Sequence, residues 1–259
     1  MTEARSDWRE PHGTWIVGHR GAPRRAHENT IESFDWAETF GVDAVELDVR
    51  QTRDGEAVVF HDEDVLLGAQ RVPVRSFTTR ELERLRLPSE HGEFGIPRLQ
   101  DVFHRYGPAL KYVVEVKSSP NYDRGVMARR IAGLASVYGV VPRCLVASFD
   151  ADFLRKMREV EPRLATSYLF DHPVALPEAG RLTPLFPPVD AIGPARELAT
   201  PALLEHAAAA GLTVHPWTVN APDEIRRFLA AGVASITTDE PDTARALRDE
   251  MPSPAPIAG

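Results

Sequence analysis

Cysteine is nearly absent from this sequence of 259 residues, which contains only Cys144. A single thiol excludes an intramolecular disulfide and a zinc site built on several cysteines. Because Cys144 begins the apolar run Cys144-Leu-Val-Ala, we expect a buried core thiol and not a nucleophile. Long apolar runs are also missing, since none approaches the ~18 residues of a membrane span. The sequence therefore predicts no stable membrane insertion.

Positive charge is in short supply, because 30 Lys and Arg residues stand against 38 Asp and Glu residues, for a net charge of −8. Binding to nucleic acid through general charge attraction is therefore not expected, and an anionic substrate would need local basic groups. Residues 1–13 carry charges throughout and hold no secretory signal, so we expect an N-terminal extension on a cytoplasmic protein. Residues 251–259 are rich in proline and small side chains, which predicts a disordered tail.

Short apolar runs alternate with amphipathic segments of helical length through residues 14–250, a pattern typical of βα units and a parallel sheet. The length is close to the ~250 residues of a TIM-type (β/α)8 barrel, so we predict an α/β fold with one such barrel domain. The alternative is an open doubly wound sheet, but no glycine-rich nucleotide-binding motif supports it. The predicted strands are Trp15–His19, Ala44–Arg50, Lys111–Lys117, Leu145–Phe149, Thr166–Phe170, Ala191–Gly193, Thr213–Val219 and Ser235–Thr238.

A β-hairpin is predicted after the second strand. Asp54-Gly55 lies between two strand-like runs, which is the strongest short hairpin signal, so Ala57–His61 should return antiparallel to the second strand. If the loop has two residues, Asp48 and His61 become cross-strand partners with Cβ atoms ~5 Å apart.

An insertion follows the hairpin at residues 62–97. This segment contains no convincing strand, and Thr78–Leu85 is predicted as a short helix. Insertions over a barrel loop commonly shape access for a substrate.

Charged residues occupy strand positions where packing alone would favour apolar side chains. Glu46 and Asp48 are two residues apart and point to one side of the second strand. Glu115 and Lys117 share one side of the third strand in the same way. Three carboxylates inside a closed barrel favour one divalent cation, because buried like charges are costly and oxygen ligands suit Mg²⁺, Ca²⁺ or Mn²⁺ better than zinc. The structural alternative is an internal salt-bridge layer.

Two histidines and an arginine should lie at the same end of the barrel. The first strand ends in His19-Arg20 and the hairpin ends in His61, and polar residues at the carboxyl ends of barrel strands belong to the active-site face. Adding Arg20 and Lys117 to three carboxylates and a divalent cation leaves a small positive charge, which suits a phosphodiester monoanion. Trp217, late in the seventh strand, fits either a core position or a wall of the substrate site.

These residues belong to short motifs that extend from one end of the sequence to the other. The motifs are His19-Arg-Gly-Ala22, Glu28-Asn-Thr30 with Phe34, Gly41-Val-Asp-Ala-Val-Glu-Leu-Asp-Val49, Asp54-Gly55, Val58-Val-Phe-His-Asp62, Ile96-Pro-Arg-Leu99, Val114-Glu-Val-Lys117, Ser148-Phe149, Trp217-Thr-Val-Asn220, Gly232-Val233 and Ile236-Thr-Thr-Asp-Glu-Pro241. A His-Arg-Gly tripeptide alone would mean little, but the ordered set resembles the glycerophosphodiester phosphodiesterase family and is highly specific for it.

The resemblance implies a TIM-type barrel that uses a divalent metal to hydrolyse a small-molecule glycerophosphodiester to glycerol 3-phosphate and an alcohol. The roles implied by the matching motifs are metal ligation by Glu46, Asp48 and Glu115, acid/base catalysis by His19 and His61, phosphate binding by Arg20 and Lys117, and lining or bracing of the site by Asn29. Attack by the glycerol C2 hydroxyl through a cyclic phosphate and direct attack by water both remain open.

The sequence departs from the family pattern at two places. His27 precedes Glu28 where the family usually has proline, and residues 63–70 lack the Arg-Thr-Thr that tends to follow the His-Asp motif. We expect the insertion to govern the choice of alcohol. A lysophospholipase D-like or sphingomyelinase D-like activity on lipids is the alternative enzyme, and a catalytically dead binding barrel is the third hypothesis.

Overall fold

The structure, a computed structural model, describes residues 6–9, 13–119, 122–176 and 186–251. The strands are β1 Trp15–Gly18, β2 Ala44–Gln51, β3 Ala57–Val59, β4 Asp64–Leu67, β5 Gln70–Pro73, β6 Leu87–Ser89, β7 Gly92–Phe94, β8 Lys111–Val116, β9 Cys144–Ser148, β10 Ala165–Phe170, β11 Ala191–Pro194, β12 Thr213–Val214 and β13 Ser235–Thr238. The helices are α1 Ile31–Thr39, α2 Thr79–Leu82, α3 Leu99–Tyr106, α4 Arg124–Val137, α5 Ala151–Val160, α6 Pro201–Ala209, α7 Pro222–Ala231 and α8 Pro241–Asp249.

Eight parallel strands form the main sheet, in the order β12-β11-β10-β9-β8-β2-β1-β13, and β3 pairs with β2 off this path. The two ends of the sheet meet where the amides of Ala234 and Thr237 donate to the carbonyls of Val214 and Pro216, at 3.0 and 3.1 Å. These bonds close the ring, and in the described ranges helices lie between most successive barrel strands. The predicted TIM-type barrel is therefore confirmed, and the open doubly wound sheet is excluded.

The seventh barrel strand is less regular than the predicted Thr213–Val219. The regular strand β12 ends at Val214, two residues before Pro216, which has no N–H to donate. The chain still follows the barrel wall beyond that point, because the amides of His215 and Trp217 donate to carbonyls of β11 at 2.9 and 3.2 Å.

Side-chain alternation on the barrel strands separates an outer core from the barrel interior. On β2, Val45 and Leu47 pack outward against the helices, whereas Glu46 and Asp48 point inward. The buried Cys144 belongs to the outer core, as predicted. The interior cluster contains several small side chains, which leave space at the barrel mouth. Its members are Trp8, Trp15, Val17, Ala44, Val113, Leu145, Ala147, Ala165, Leu169 and Ala191.

Trp8 packs the N-terminal segment against the base of the barrel. Its side chain is fully buried, its ring centroid lies 4.8 Å from that of Trp15, and its Nε1 donates to the carbonyl of Arg143 at 2.7 Å. Trp15 begins β1, and Arg143 comes just before β9. Trp8 therefore lies at the amino ends of the strands, opposite the carboxyl ends that carry the candidate site. The predicted tail beyond Met251 lies outside the described residues. None of the helices in the described ranges has the length and apolarity needed to cross a membrane.

The hairpin after β2 forms, but its register differs from the prediction by one residue. Val49 pairs with Val59, and the amide of Phe60 donates to the carbonyl of Asp48 at 2.9 Å. Asp48 therefore lies opposite Phe60, and the predicted pairing with His61 is wrong. The cause is a loop of three residues ending in Gly55, whose φ of 82° fits the left-handed position of such loops.

The insertion contains more strand than predicted. β4 pairs with β5 and β6 with β7, each as an isolated antiparallel hairpin of short strands. Strands of three or four residues give too brief an alternation to recognise, so the prediction of no strand is wrong. The short helix is confirmed as α2, where Thr78 and Glu81 form a reciprocal capping box.

Candidate active site

Three carboxylates from neighbouring strands converge inside the barrel. Glu46 and Asp48 come from β2 and Glu115 from β8, where Asp48 and Glu115 are adjacent in the sheet register. One oxygen from each residue lies within 4.8 Å of the others, and all three residues are buried. Glu46 Oε1 is fully buried and, within the described ranges, has no hydrogen-bond or ion-pair partner. A buried carboxylate oxygen without a partner fits a site for a hard divalent cation.

Two basic side chains contact this triad. Lys117 Nζ lies 3.0 Å from Asp48 Oδ1 and 2.5 Å from Glu115 Oε1. Arg20 belongs to the first loop, residues 19–30 between β1 and α1. Its Nε lies 3.1 Å from Asp48 Oδ2, and its backbone amide donates to Glu46 Oε2 at 2.9 Å. Arg20 has a φ of 54°, a left-handed conformation in which both its amide and its side chain face the carboxylates.

The pKa shifts of the triad show how its charges are compensated. Burial, and then the charges of Asp48 and Glu115, raise the pKa of Glu46 well above its ordinary value. Burial and the charge of Asp48 also raise the pKa of Glu115. Burial acts in the same direction on Asp48, but the charges of Lys117 and Arg20 outweigh it, and the pKa of Asp48 is lowered. Lys117 and Arg20 therefore compensate the charge of Asp48, whereas ionising Glu46 and Glu115 remains unfavourable. A bound cation would remove that cost.

The first loop contributes a brace and an extra carboxylate. Asn29 donates from Nδ2 to Asp48 Oδ2 at 2.8 Å and accepts from the Asp48 amide at 3.1 Å. Arg20 also donates from Nη1 to both oxygens of Glu28, at 2.8 and 2.9 Å. Glu28 therefore adds a fourth carboxylate to the cluster. With the two basic side chains and a divalent cation, the net charge of the site is zero and not the small positive charge that we predicted from three carboxylates.

His19 is held by a chain of hydrogen bonds at the end of the barrel. Its Nδ1 lies 2.6 Å from Asp239 Oδ1, and the second oxygen of Asp239 accepts from Asn220 Nδ2 at 2.7 Å. Although burial tends to raise the pKa of Asp239, the bonds and charges of His19, Asn220 and Arg20 hold it below its ordinary value. An ionised carboxylate only accepts hydrogen bonds, so Nδ1 carries the hydrogen and Nε2 is left for the site.

His61 lies at the end of the hairpin, one residue beyond Phe60. Its Nδ1 is 2.8 Å from Asp62 Oδ1, and its carbonyl accepts from Arg50 Nε at 2.8 Å. The chain leaves the β2 ladder after Phe60, so His61 is positioned by this turn and not by strand pairing.

Two cavities meet the cluster from different sides. A small inner cavity in the barrel mouth is lined by His19, Glu46, Glu115 and Trp217. Trp217 donates from Nε1 to the carbonyl of Gly193 at 2.7 Å, so its ring stands as a fixed wall. A larger outer groove reaches Asn29 and His61 from the insertion side. The predicted residues thus surround one site with two approaches.

Comparison with known proteins assigns the family. The sequence profile of the glycerophosphoryl diester phosphodiesterase family matches residues 19–243, which is most of the chain. The chain belongs to this family. A "Glycerophosphodiester phosphodiesterase" of Caldanaerobacter subterraneus subsp. tengcongensis is 31% identical over 243 residues, covering 89% of this chain and 96% of that protein. A relative of the same name from Bacillus subtilis strain 168 is 27% identical, covering 87% and 83% of the two chains.

Solved structures support the same assignment. A protein from Silicibacter pomeroyi DSS-3 superposes with a TM-score of 0.81 at 29% identity and covers 95% of each chain. A glycerophosphodiester phosphodiesterase from Agrobacterium tumefaciens C58 has a TM-score of 0.75 at 24% identity, covers 90% of this chain and 99% of its own, and supports the fold. This member of the glycerophosphoryl diester phosphodiesterase family is therefore a phosphoric diester hydrolase.

Three residues of this phosphodiesterase site were missed as functional residues by sequence reasoning. They are Glu28, Asn220 and Asp239, which occur in the family motifs but received no role. Each is polar and sits at a strand end or in the first loop, a signal that could have singled them out. Their partners, however, are distant in sequence, as Asp239 is 220 positions from His19.

Proposed function

We propose that this phosphodiesterase hydrolyses glycerophosphodiesters to glycerol 3-phosphate and an alcohol, with one divalent cation held by Glu46, Asp48 and Glu115. The observation that carries the proposal is the buried triad with an unpartnered Glu46 oxygen, next to His19 in the inner cavity and His61 in the outer groove. The relatives named glycerophosphodiester phosphodiesterase support this substrate class. Mg²⁺, Ca²⁺ and Mn²⁺ all suit a carboxylate site, and a cation there would polarise the phosphoryl oxygens and acidify a bound hydroxyl.

The two histidines are proposed to act as an acid/base pair. His19 is the base, because ionised Asp239 stabilises the imidazolium that forms when Nε2 takes a proton. His61 is the acid, because it lines the groove through which an alcohol can leave. Arg20 and Lys117 balance negative charge that develops on the phosphoryl group.

The proposed nucleophile is the glycerol C2 hydroxyl. His19 removes its proton, the new oxygen–phosphorus bond closes a five-membered cyclic phosphate, and the bond to the leaving alcohol breaks as His61 supplies a proton. Intramolecular attack is favoured because tethered, well-oriented groups reach effective molarities of ~10⁵ M or more. Water then opens the ring with the two histidines in exchanged roles, so that proton transfer is balanced over the cycle.

The test is a turnover screen with Mg²⁺, Mn²⁺ or Ca²⁺ on glycerophosphocholine, glycerophosphoethanolamine, glycerophosphoglycerol and glycerophosphoinositol, with release of glycerol 3-phosphate as the readout. Lysophosphatidylcholine in the same screen tests the lipid alternative. Release of glycerol 3-phosphate from at least one of the four diesters supports the proposal. Metal-induced thermal stabilisation without turnover on any substrate would instead favour the binding barrel.

A further inference from the structure

The outer groove is bounded by three separate segments that meet beside His61. The first loop contributes its wall at His27 and Asn29, and the chain from Phe60 to Leu66 forms its floor. The hairpin of β6 and β7 completes the groove and ends in Phe94, whose ring packs against that of His27. His61 and Asn29 line this groove, and Asn29 also bonds to Asp48, so the groove is continuous with the triad.

The floor of the groove is acidic. Asp62 and Asp64 both line it, and residues 62–70 contain no Lys or Arg. Glu28 lines the groove as well, but its charge is balanced by Arg20, which donates to both of its oxygens. Asp62 bonds to His61 and also interacts with the charge of Arg50, whereas within the described ranges no basic side chain forms an ion pair with Asp64.

Aromatic side chains line the same groove as these carboxylates. Phe60 and Phe94 line the groove, and His27 stacks on Phe94 with ring centroids 3.6 Å apart and planes 27° from parallel. Burial lowers the pKa of His27, so this ring adds a flat surface and no positive charge at neutral pH. A carboxylate next to aromatic faces is the combination that binds an ammonium group, through charge attraction and cation–π contact.

We propose that this groove receives the leaving alcohol and selects alcohols that carry an ammonium group, such as choline and ethanolamine, over neutral polyols. The inference rests on the proposed function, since it names the leaving-group side of the same site. Asp64 is the main charge determinant and Phe94 the main aromatic one. Neutral alcohols gain neither the charge attraction nor the cation–π contact, so they are expected to be poorer substrates.

The test compares kcat/KM for glycerophosphocholine and glycerophosphoglycerol on the same enzyme preparation, which cancels any difference in the folded fraction. We expect the wild-type ratio to favour the choline ester, and Asp64→Asn to lower that ratio by about three- to tenfold. Phe94→Leu, which keeps an apolar side chain, should lower the ratio by a similar factor of about three to ten. Asp64→Lys should reverse the preference.

Glu93→Gln is the matched control, because it removes one exposed charge from β7 next to Phe94 without lining the groove. A ratio unchanged in Glu93→Gln but lowered in Asp64→Asn supports the proposal. Equal kcat/KM for both esters in the wild type, or equal ratios in wild type and Asp64→Asn, would overturn the groove assignment while the proposed function stands. Absence of turnover on all glycerophosphodiesters would overturn the proposed function, and this inference with it.

Discussion

The Nδ1 atom of His19 lies 2.6 Å from Oδ1 of Asp239, although the two residues are at opposite ends of the chain. β1 and β13 are adjacent in the barrel, and Gly18 pairs with Thr238, so the residue that follows each strand is brought to the same point of the rim. Asn220 fixes Asp239 in place: its Nδ2 donates to Asp239 Oδ2 at 2.7 Å, and its Oδ1 accepts from the Asp239 backbone amide at 2.9 Å. Asp239 is therefore placed to set the tautomer and orientation of His19.

Asp239→Asn tests this positioning. The amide can present its N–H to Nδ1 and stabilise the wrong tautomer, so we expect kcat to fall by about 10²-fold or more, with a much smaller change in KM. A merely structural role would lower the melting temperature and leave kcat per folded molecule intact. A normal kcat in a folded Asp239→Asn protein would contradict the assignment.

His19→Ala and His61→Ala should each lower kcat by about 10²–10⁴-fold, the usual contribution of a positioned general acid or base. His172→Ala is the matched control for His61, because His172 is also bonded through Nδ1 to an adjacent aspartate but is exposed and lines neither cavity of the site. Steady-state kinetics measures kcat of each variant, and circular dichroism checks that each variant is folded. Comparable activity of His61→Ala and His172→Ala would remove His61 from the mechanism.

Chelation should abolish turnover, because the carboxylate triad is proposed to act through its cation. Glu46→Gln should weaken metal binding, measured by titration calorimetry and by the metal-induced rise in melting temperature. Full activity after chelation and dialysis would show that the triad is a salt-bridge layer.

The same residue should set a pH dependence of stability in the metal-free protein. The pKa of Glu46 is raised above its ordinary value of 4.5 in the folded state, so the folded protein binds the proton more tightly than the unfolded chain. Its contribution is complete below that ordinary value and is lost as the pH rises through the folded-state pKa. Glu46→Gln should thus stabilise the metal-free protein at pH 8 by about 1–2 kcal/mol, with less effect at lower pH. Melts across pH 5–8 that show no difference between wild type and variant would refute this.

A glycerophosphocholine analogue without the C2 hydroxyl distinguishes the two hydrolytic routes. If the C2 oxygen is the nucleophile, the analogue should act as a competitive inhibitor and remain uncut, and phosphorus NMR of the natural substrate should detect the cyclic phosphate. Brisk hydrolysis of the analogue would establish direct attack by water.

Trp8 should contribute to stability and not to turnover. Removing this buried ring by Trp8→Ala should cost about 3–5 kcal/mol, because it leaves a cavity against Trp15 and an unpaired Arg143 carbonyl. Denaturant unfolding measures the change, with Trp36→Ala as the control, since Trp36 is 43% exposed. Equal losses for the two tryptophans would mean that the N-terminal segment does not pack as described.

The sequence by itself determined the barrel and the convergence of the triad. Alternating apolar and charged residues in β2 and β8 dictate which side chains point inward, because the period of a strand is two whatever surrounds it. Spacing therefore predicts that Glu46 and Asp48 share one side of β2, and that Glu115 shares one side of β8 with Lys117. The order of the motifs then identified the family.

Only the tertiary structure decided the features that depend on contacts between distant segments. One additional loop residue shifted the hairpin and placed Asp48 opposite Phe60, because register follows from loop length and turn geometry. The partner of His19 depends on barrel closure, and the groove beside His61 depends on the packing of two short hairpins against the first loop. Local periodicity carries no information about such contacts, since their free energy is gained only after the chain has closed.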